Sequence, residues 1–222
     1  MTYKHIKQIF ESNKHSIAED QFSAMEKYVM LLLDKNKKVN LISRKDEEKI
    51  WEQHILHSLA LVLDSRFRGN GNWSGKNILD IGTGGGLPGI PIKIMFSEVK
   101  IVLLDSIQKK IHCVSKIIDE LGLNNTHVIC GRAEEIGKEK EYSRTFDIVV
   151  TRAVAQLSDL IQWSKLFLKR GGKLFAMKGG NLEKELLECR MKFNYTIEEY
   201  YIDLKGLEYL KEAEKKIIVV EM

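Results

Sequence analysis

A run of glycines directly after a short apolar segment is the part of the sequence best suited to binding a nucleotide-like ligand. Residues 77–81 read as a buried strand, and Gly82, Gly84, Gly86 and Gly89 follow at the start of a predicted helix. Glycine lacks a Cβ atom and tolerates positive φ angles, so such a turn lets the backbone approach a ligand closely. Loops of this kind bind either dinucleotides or S-adenosylmethionine, and the neighbouring residues distinguish the two.

Two features of this segment favour S-adenosylmethionine. Residues 84–89 do satisfy the dinucleotide glycine pattern. However, Asp80 stands two residues before Gly82, the first glycine of the turn, where its charge would repel a diphosphate. Pro88 and Pro91, the only prolines, lack N–H donors that a phosphate would need. A ligand with a sulfonium group and no phosphate tolerates both features. We therefore expect S-adenosylmethionine as the cofactor, with Asp80 and Gly84 at its site; a nicotinamide-dependent oxidoreductase is the alternative.

Polar residues follow three further predicted strands, at the edge where open α/β sheets bind ligands. Asp105 follows the second strand and could accept hydrogen bonds from two ribose hydroxyls, cap the next helix, or do both. Ala133 and Glu134 follow the third strand and suit an adenine edge, although an ordinary acidic loop would look the same. Arg152 ends the fourth strand, and we expect it at the reacting centre, holding the cofactor carboxylate or a phosphate of the target.

The residues around Arg152 limit the possible methyl acceptors. Enzymes that methylate exocyclic amines place an Asn/Asp-Pro-Pro-aromatic motif at this position, whereas residues 151–154 read Thr-Arg-Ala-Val. Methylation of pyrimidine C5 needs a cysteine nucleophile, commonly after proline, and the chain contains no Pro-Cys. Guanine N7 has an in-plane lone pair, so its methylation needs alignment and electrostatics but no general base. The pattern fits N7 methylation best, while a carboxyl or hydroxyl acceptor would leave a similar one.

Length and composition are those of a globular protein with one large domain, or with one domain and a small appendage. Of 222 residues, 44% are hydrophobic and 30% are charged. No apolar run approaches the ~20 residues of a membrane helix, and the N-terminus lacks the apolar core of a signal peptide, so we expect a cytoplasmic protein without a membrane partner. The three separated cysteines predict neither disulfides nor a zinc site. His54 and His57 share a predicted helix face but lack a third ligand, so no metal is expected.

The net charge of +4 permits an RNA partner, and basic residues are clustered in two segments. Such clusters are more often solvated surface than binding sites, but together they are candidates for an RNA-binding rim around the cleft. The first cluster contains Lys35, Lys37, Lys38, Arg44 and Lys45, and the second contains Lys165, Lys169, Arg170, Lys173 and Lys178.

Apolar periodicity divides the chain into a helical N-terminal extension at 1–63, a loop rich in glycine and asparagine at 64–76, and a strand–helix domain at 77–222. The alternation predicts a mostly parallel sheet with helices on both faces, ending in an antiparallel pair. The predicted strands are 77–81, 100–104, 126–130, 146–151, 172–177, 196–202 and 215–221, and the predicted helices of this domain lie near 88–96, 107–121, 155–168 and 181–192. This is the Rossmann-like, seven-stranded α/β fold of class I S-adenosylmethionine-dependent methyltransferases.

With these motifs assembled, nearly the whole chain resembles the ribosomal RNA small subunit methyltransferase G family, also called glucose-inhibited division protein B. The segments that match are 39–43, 54–58, 80–91, 104–106 with 109–110, 132–135, 151–154 and 176–179. The resemblance implies methyl transfer from S-adenosylmethionine to N7 of a guanine in the 530 loop of 16S rRNA, position 527 by convention. It also implies cofactor contacts from Gly82, Leu87, Ala133, Glu134 and Arg152.

The resemblance suggests an RNA partner. Two residues of this chain depart from the family pattern. We expect a monomer that acts on 16S rRNA or a small-subunit particle, and a methyltransferase for another RNA or a small molecule is a further alternative. The candidate RNA contacts are Lys37, Lys38, Lys109, Lys110 and Lys178. His57 stands where the family usually has an acid, and Gly85 stands where proline or alanine is common.

Overall fold

The centre of the molecule is a mixed sheet, seen in a computed structural model that describes residues 1–68, 73–152 and 154–222. The strands are β1 (Asn77–Ile81), β2 (Lys100–Asp105), β3 (Thr126–Cys130), β4 (Phe146–Arg152), β5 (Leu168–Gly179), β6 (Thr196–Tyr201) and β7 (Lys215–Glu221). Their order across the sheet is β3-β2-β1-β4-β5-β7-β6. Strands β1 to β5 are parallel, and β7 runs antiparallel between β5 and β6. The predicted antiparallel end of the sheet is confirmed.

Helices cover both faces of this sheet. In chain order they are α1 (Tyr3–Ser12), α2 (Glu19–Asn36), a 3₁₀ helix (Arg44–Lys49), a π-helical turn (Trp51–Leu56), α3 (His57–Leu63), α4 (Ser65–Arg68), α5 (Gly89–Met95), α6 (Gln108–Leu121), α7 (Ala133–Ile136), α8 (Leu157–Phe167), α9 (Glu183–Lys192) and α10 (Glu208–Glu212). No helix of the described ranges is both long and apolar enough to cross a lipid bilayer.

Two hydrophobic clusters, one on each face, hold the helices to the sheet. Along β7, Ile217 and Val219 belong to one cluster, and Ile218 and Val220 belong to the other. This alternation follows from the two-residue period of a strand, and it explains why residues 217–220 of β7 are continuously apolar. The first cluster joins the sheet to α1, α2, α3, α5 and α6, and the second joins it to α8 and α9.

The N-terminal helices share the first of these clusters with the strands. Phe10, Leu32 and Leu59 are buried in it together with Ile78 of β1. The helical extension is therefore packed against the sheet and has no core of its own among the described residues. The boundaries predicted at 63 and 77 stay a prediction.

The segment predicted as a loop at 64–76 differs from that expectation in its described parts. Residues 65–68 form α4, and residues 69–72 lie outside the described residues. Trp73 is fully buried, with its ring centroid 5.4 Å from that of Phe175 on β5. Aromatic burial of this size is a large apolar contribution, so the end of this segment is fixed to the core.

Within the predicted helical extension, residues 44–63 change their winding along their length. A 3₁₀ helix leads into the π-helical turn, and only residues 57–63 are α-helical. Short π-helical turns are rare in proteins, and those that occur often lie at functional sites. This turn contains Gln53 and His54, both of which contact the end of β4.

Candidate cofactor and substrate site

The glycine-rich turn after β1 has the backbone geometry that its sequence predicts. Gly82 and Gly84 have φ angles of 70° and 57°, which side chains other than glycine rarely adopt. At Gly82 a Cβ atom would also lie 2.5 Å from Cγ2 of Val154, so the turn packs closely against the segment after β4. The turn ends at Gly89, where α5 begins.

Asp80 shapes this turn from below, which corrects the expectation that it would lie at the cofactor site itself. Its side chain is fully buried and does not line either ligand-sized cavity described below. Its Oδ2 accepts hydrogen bonds from the Thr83 hydroxyl at 2.7 Å and the Gly89 N–H at 2.9 Å. Burial raises the pKa of Asp80 to about 7. The physical reason for the difference is that the turn folds over the end of β1 and encloses the carboxyl group.

Asp105 connects the end of β2 to two neighbouring segments. One carboxylate oxygen accepts a hydrogen bond from the Gly84 N–H at 3.0 Å, and the other accepts one from the Ile107 N–H at 2.9 Å. The second bond satisfies a free N–H just before α6, as expected of a residue near a helix start. Asp105 also lines a cavity, so the contact before α6 is observed and the ribose contact stays a prediction at the same residue.

A cavity of about 360 Å³ opens above the glycine turn. It brings together the ends of β1, β2, β3 and β4, and Leu41 of the N-terminal extension closes one side. The predicted cofactor residues that line it are Gly82, Gly84, Leu87, Asp105, Ala133, Glu134 and Arg152. The sequence interpretation did not include Trp163 of α8, because no motif marks its position on the far side of the cavity.

A second cavity, of about 420 Å³, lies next to the first. Arg152 and Val154 line both, so the two spaces share a wall. One side of the second cavity is formed by Asp46, His54 and His57, and the other by the ends of β4 and β5 and the start of β7. Sequence reasoning missed this cavity, because its two sides come from segments about 100 residues apart.

The Arg152 side chain is held by the N-terminal extension. Its Nη1 donates a hydrogen bond to the Gln53 carbonyl at 3.2 Å, and its Nη2 lies 2.9 Å from Nδ1 of His54. Burial lowers the pKa of Arg152, but a guanidinium stays protonated in proteins. Ala153, the next residue of the motif, lies outside the described residues.

Both histidines of the second cavity are neutral at physiological pH. Burial, and then the charge of Arg152, lowers the pKa of His54 to about 4 and that of His57 to about 3. The three-residue spacing predicted a shared position, and the structure does place both against this cavity. Across the described ranges no group of three His, Cys, Asp or Glu side chains is arranged to hold a metal ion.

The predicted RNA contacts are placed in different surroundings. Lys37 and Lys38 are exposed, Lys37 with an ion pair to Asp34 at 3.6 Å. Lys109 is exposed at the start of α6, and Lys110 lines the first cavity.

Lys178 requires a correction as a predicted RNA contact. Its Nζ is 2.6 Å from Oε1 of Glu185 and also donates to the Ala155 carbonyl at 3.0 Å. The Lys178 side chain is only 14% exposed, because the Glu185 carboxylate of α9 packs against it. Lys178 is therefore a paired residue in the wall of the second cavity.

Three further residues of the second basic cluster lie away from the cleft. Strand β5 is parallel to β4 and begins at Leu168, so Lys169, Arg170 and Lys173 lie towards the amino end, away from the cavities. Lys169 and Lys173 form ion pairs with Asp147 and Glu221. The predicted RNA-binding rim was wrong for these residues. β5 is 12 residues long, so its amino end, which carries them, is far from its carboxyl end at the cavities.

Comparison with known proteins supports the same assignment of the fold. A family model described as GidB, rRNA small subunit methyltransferase G, matches residues 21–216. The chain belongs to this family. A ribosomal RNA small subunit methyltransferase G from Chlorobium limicola is 39% identical, with 94% of this chain and 91% of that protein covered. One from Lactococcus lactis subsp. lactis is 34% identical, with 92% and 84% covered.

Solved structures of other proteins share the fold of this GidB family member. A SAM-dependent methyltransferase from Aquifex aeolicus has a TM-score of 0.56 at 15% identity, with 86% of this chain and 97% of that chain covered. A predicted O-methyltransferase from Agrobacterium tumefaciens has a TM-score of 0.55 at 14% identity, with 76% and 80% covered. The predicted family and the predicted class I methyltransferase fold are both confirmed.

Gly85, one of the two departures from the GidB family pattern, contacts the N-terminal helices. Its carbonyl accepts a hydrogen bond from the Tyr28 hydroxyl at 2.9 Å. A Cβ atom at this position would lie 2.7 Å from Cδ1 of Leu32 and 3.3 Å from Cβ of Leu41. The absence of a side chain at Gly85 therefore lets α2 pack closely against the turn.

Proposed function

We propose that this protein transfers a methyl group from S-adenosylmethionine to N7 of a guanine in the 530 loop of 16S rRNA. Methylation of rRNA with S-adenosylmethionine is the activity that follows from membership in the family, and these two predictions are confirmed. The base, its ring atom and the loop are the proposal. The observation that carries it is the position of Arg152 between two adjoining cavities, beside histidines that are poor bases.

The first cavity fits S-adenosylmethionine in size and in charge. Its volume is within the range of small-molecule sites. Its lining contains the acids Asp105 and Glu134 and the cations Lys110, Arg132 and Arg152, of which Arg152 is half-buried at the end of β4. We assign Asp105 to the ribose hydroxyls, Ala133 and Glu134 to the adenine, and Arg152 to the carboxylate. When bound, the cofactor supplies an electrophilic methyl group on a positively charged sulfur.

The backbone of the glycine turn completes the assigned cofactor site. Gly82, Gly84 and Leu87 line the same cavity and let main-chain atoms lie against the ligand. Asp80 acts on the cofactor only through the shape of this turn, since its bonds go to Thr83 and Gly89. The proposal therefore separates residues that touch the cofactor from one that shapes the loop.

We assign the second cavity to the target base. Besides Arg152, the described titratable groups that line it are Asp46, His54, His57, Lys178 and Lys215. His54 and His57 have lowered pKa values, Lys178 is paired with Glu185, and Asp46 lies 3.3 Å from Nε2 of His54. A histidine with a pKa of about 3 or 4 is too weak a base to help remove a proton near pH 7. Guanine N7 needs no such help, so the two histidines suit N7 better than an exocyclic amine.

RNA binding is assigned to two exposed lysines after α2 and to two lysines at the start of α6. Lys37, Lys38, Lys109 and Lys110 are the proposed phosphate contacts, and affinity should fall with added salt as these contacts release counterions. An rRNA substrate also favours a cytoplasmic protein, and a monomer is proposed. Lys178 is withdrawn from this set because of its ion pair.

Methylation of small ribosomal subunits tests the proposal directly. Subunits that lack the modification are incubated with the protein and labelled S-adenosylmethionine, and the RNA is treated with borohydride and aniline, which cleave at N7-methylated guanine. We expect one enzyme-dependent break in the 530 loop. Label on an exocyclic amine, on a pyrimidine carbon, on another RNA or on a small molecule would contradict the assignment of the acceptor.

Calorimetry tests the cofactor assignment separately. The protein should bind S-adenosylhomocysteine and should not bind NADH. Tight NADH binding would instead support the oxidoreductase alternative that the glycine pattern left open.

A further inference from the structure

The Arg152 side chain is one end of a chain of contacts that continues through His54 to Asp46. Nη2 of Arg152 lies 2.9 Å from Nδ1 of His54, and Nε2 of the same ring lies 3.3 Å from Oδ2 of Asp46. The imidazole is buried, whereas the Asp46 side chain is 37% exposed and lines the second cavity. One buried ring thus connects a surface carboxylate to the cation between the two cavities.

The donors and acceptors along this chain fix the tautomer of the ring. A guanidinium can only donate hydrogen bonds, so Nδ1 of His54 has to be the acceptor. In a neutral imidazole the hydrogen is then on Nε2, which faces Asp46. Nε2 does not meet hydrogen-bond geometry with the carboxylate, so this second contact is an electrostatic attraction across 3.3 Å that favours a hydrogen on Nε2.

We propose that Asp46 is a positioning residue, which holds His54 in the tautomer that orients Arg152 between the cofactor and the target base. This inference rests on the proposed function for the identity of the two ligands. With the hydrogen on Nδ1 instead, the ring would direct an N–H at the Arg152 fork. The fork would then keep only the bond from Nη1 to the Gln53 carbonyl.

The consequence for function is one of geometry. A planar fork held at two points presents its remaining N–H groups in a defined direction, whereas a fork held at one point can rotate. Because Arg152 lines both cavities, its rotation would misalign the two ligands, and small misalignments reduce transfer rates steeply. Asp46 itself need not touch either ligand for this effect.

The tautomer can be tested in the free protein, before any substrate is added. Long-range proton–nitrogen correlation spectra distinguish protonated from unprotonated ring nitrogens. We expect His54 to be unprotonated at Nδ1 and protonated at Nε2 near pH 7. A hydrogen on Nδ1 would overturn the proposal, and this readout does not depend on which acceptor the enzyme methylates.

A double-mutant cycle tests the positioning role. Asp46→Ala should lower kcat on the order of 10-fold, while the dissociation constant for S-adenosylhomocysteine stays within roughly twofold. In a His54→Ala background the same substitution should have little further effect, since the ring that connects the residues is gone. Glu48→Ala, an exposed acid on the same 3₁₀ helix, is the matched control and should leave kcat unchanged.

The outcomes distinguish a failure of the positioning role of Asp46 from a failure of the proposed methyl transfer. An Asp46→Ala loss of equal size in both backgrounds, or a kcat like that of Glu48→Ala, would overturn the positioning role. A wild-type protein that fails to methylate small subunits would instead refute the proposed function, and the tautomer measurement would still decide whether the contact chain exists.

Discussion

The two cavities beside Arg152 are built from different kinds of sequence. The first is bounded mainly by the ends of neighbouring parallel strands and the turns that directly follow them, in segments 81–87, 104–106 and 131–134. The second is bounded by a segment of the N-terminal extension, Asp46 to His57, and by strand ends far along the chain. Parallel strands bring their carboxyl ends to one edge automatically, whereas the second cavity depends on how the extension packs.

The difference suggests a division between a cofactor site set by local motifs and an acceptor site set by packing. Asp105, Glu134 and the glycine turn belong to the first alone, and His54 and His57 belong to the second alone. Arg152 belongs to both. Substitutions should therefore separate cofactor binding from methyl transfer, except at Arg152.

Arg152→Lys should produce the largest effect and should impair both sites. Lysine cannot make the two contacts to Gln53 and His54 from one planar group, so we expect kcat to fall on the order of 100-fold, with weaker cofactor binding. Transfer assays and calorimetry measure the two effects. Wild-type turnover in this variant would show that the shared wall has no part in the reaction.

Asp105→Ala should affect the first cavity only. It removes the acceptor of the Gly84 and Ile107 N–H groups and the proposed ribose contact, so cofactor binding should weaken by about 1.5–3 kcal/mol. Calorimetry with S-adenosylhomocysteine gives the change. At saturating cofactor the turnover should recover most of its wild-type value, and a persistent loss of turnover would contradict the division between the sites.

Acid should destabilise the protein through the second cavity. His54 and His57 are neutral when folded, so the stability they contribute is present above about pH 6.5 and is lost as pH falls towards their folded pKa values of about 4 and 3. Asp80 acts in the opposite direction. Its pKa rises from 3.8 to about 7, so its contribution is present below pH 3.8 and is lost as pH rises through 7.

Two histidines against one carboxyl leave a net loss of roughly 1 kcal/mol of stability per pH unit as pH falls from about 6 to about 4. Urea unfolding at several pH values should show this slope. His57→Gln should flatten it and Asp80→Asn should steepen it, because each removes one of the opposing groups. Parallel slopes for wild type and both variants would mean that neither group controls the acid response.

Tyr28→Phe should give the smallest effect, at the contact between the extension and the glycine turn. It removes only the hydroxyl that donates to the Gly85 carbonyl, so stability should fall by about 0.5–1.5 kcal/mol, and cofactor affinity should fall several-fold or less. Tyr3→Phe is the matched control, since that hydroxyl donates to the Ile17 carbonyl and not to the glycine turn. If both variants lower cofactor affinity equally, the contact with Gly85 has no specific role.

The sequence alone predicted the sheet domain well, because its signals are local. The apolar run 77–81 and the glycines after it gave β1, the turn and the start of α5 with bounds within a residue or two. The seven strand positions were also found. β5 is longer than the predicted 172–177, since residues 168–171 and 178–179 are also part of the strand. A strand and a glycine turn each specify their own backbone, so neighbouring residues suffice to identify them.

Only the tertiary structure decided which side chains meet. Asp80 was expected at the ligand and is enclosed beneath the turn, and Lys178 was expected at RNA and is paired with Glu185. The contacts of Arg152 with Gln53 and His54 join residues about 100 positions apart. Sequence spacing defines the position of a residue within its own element, whereas pairing of charges and closure of a cavity depend on which elements pack together.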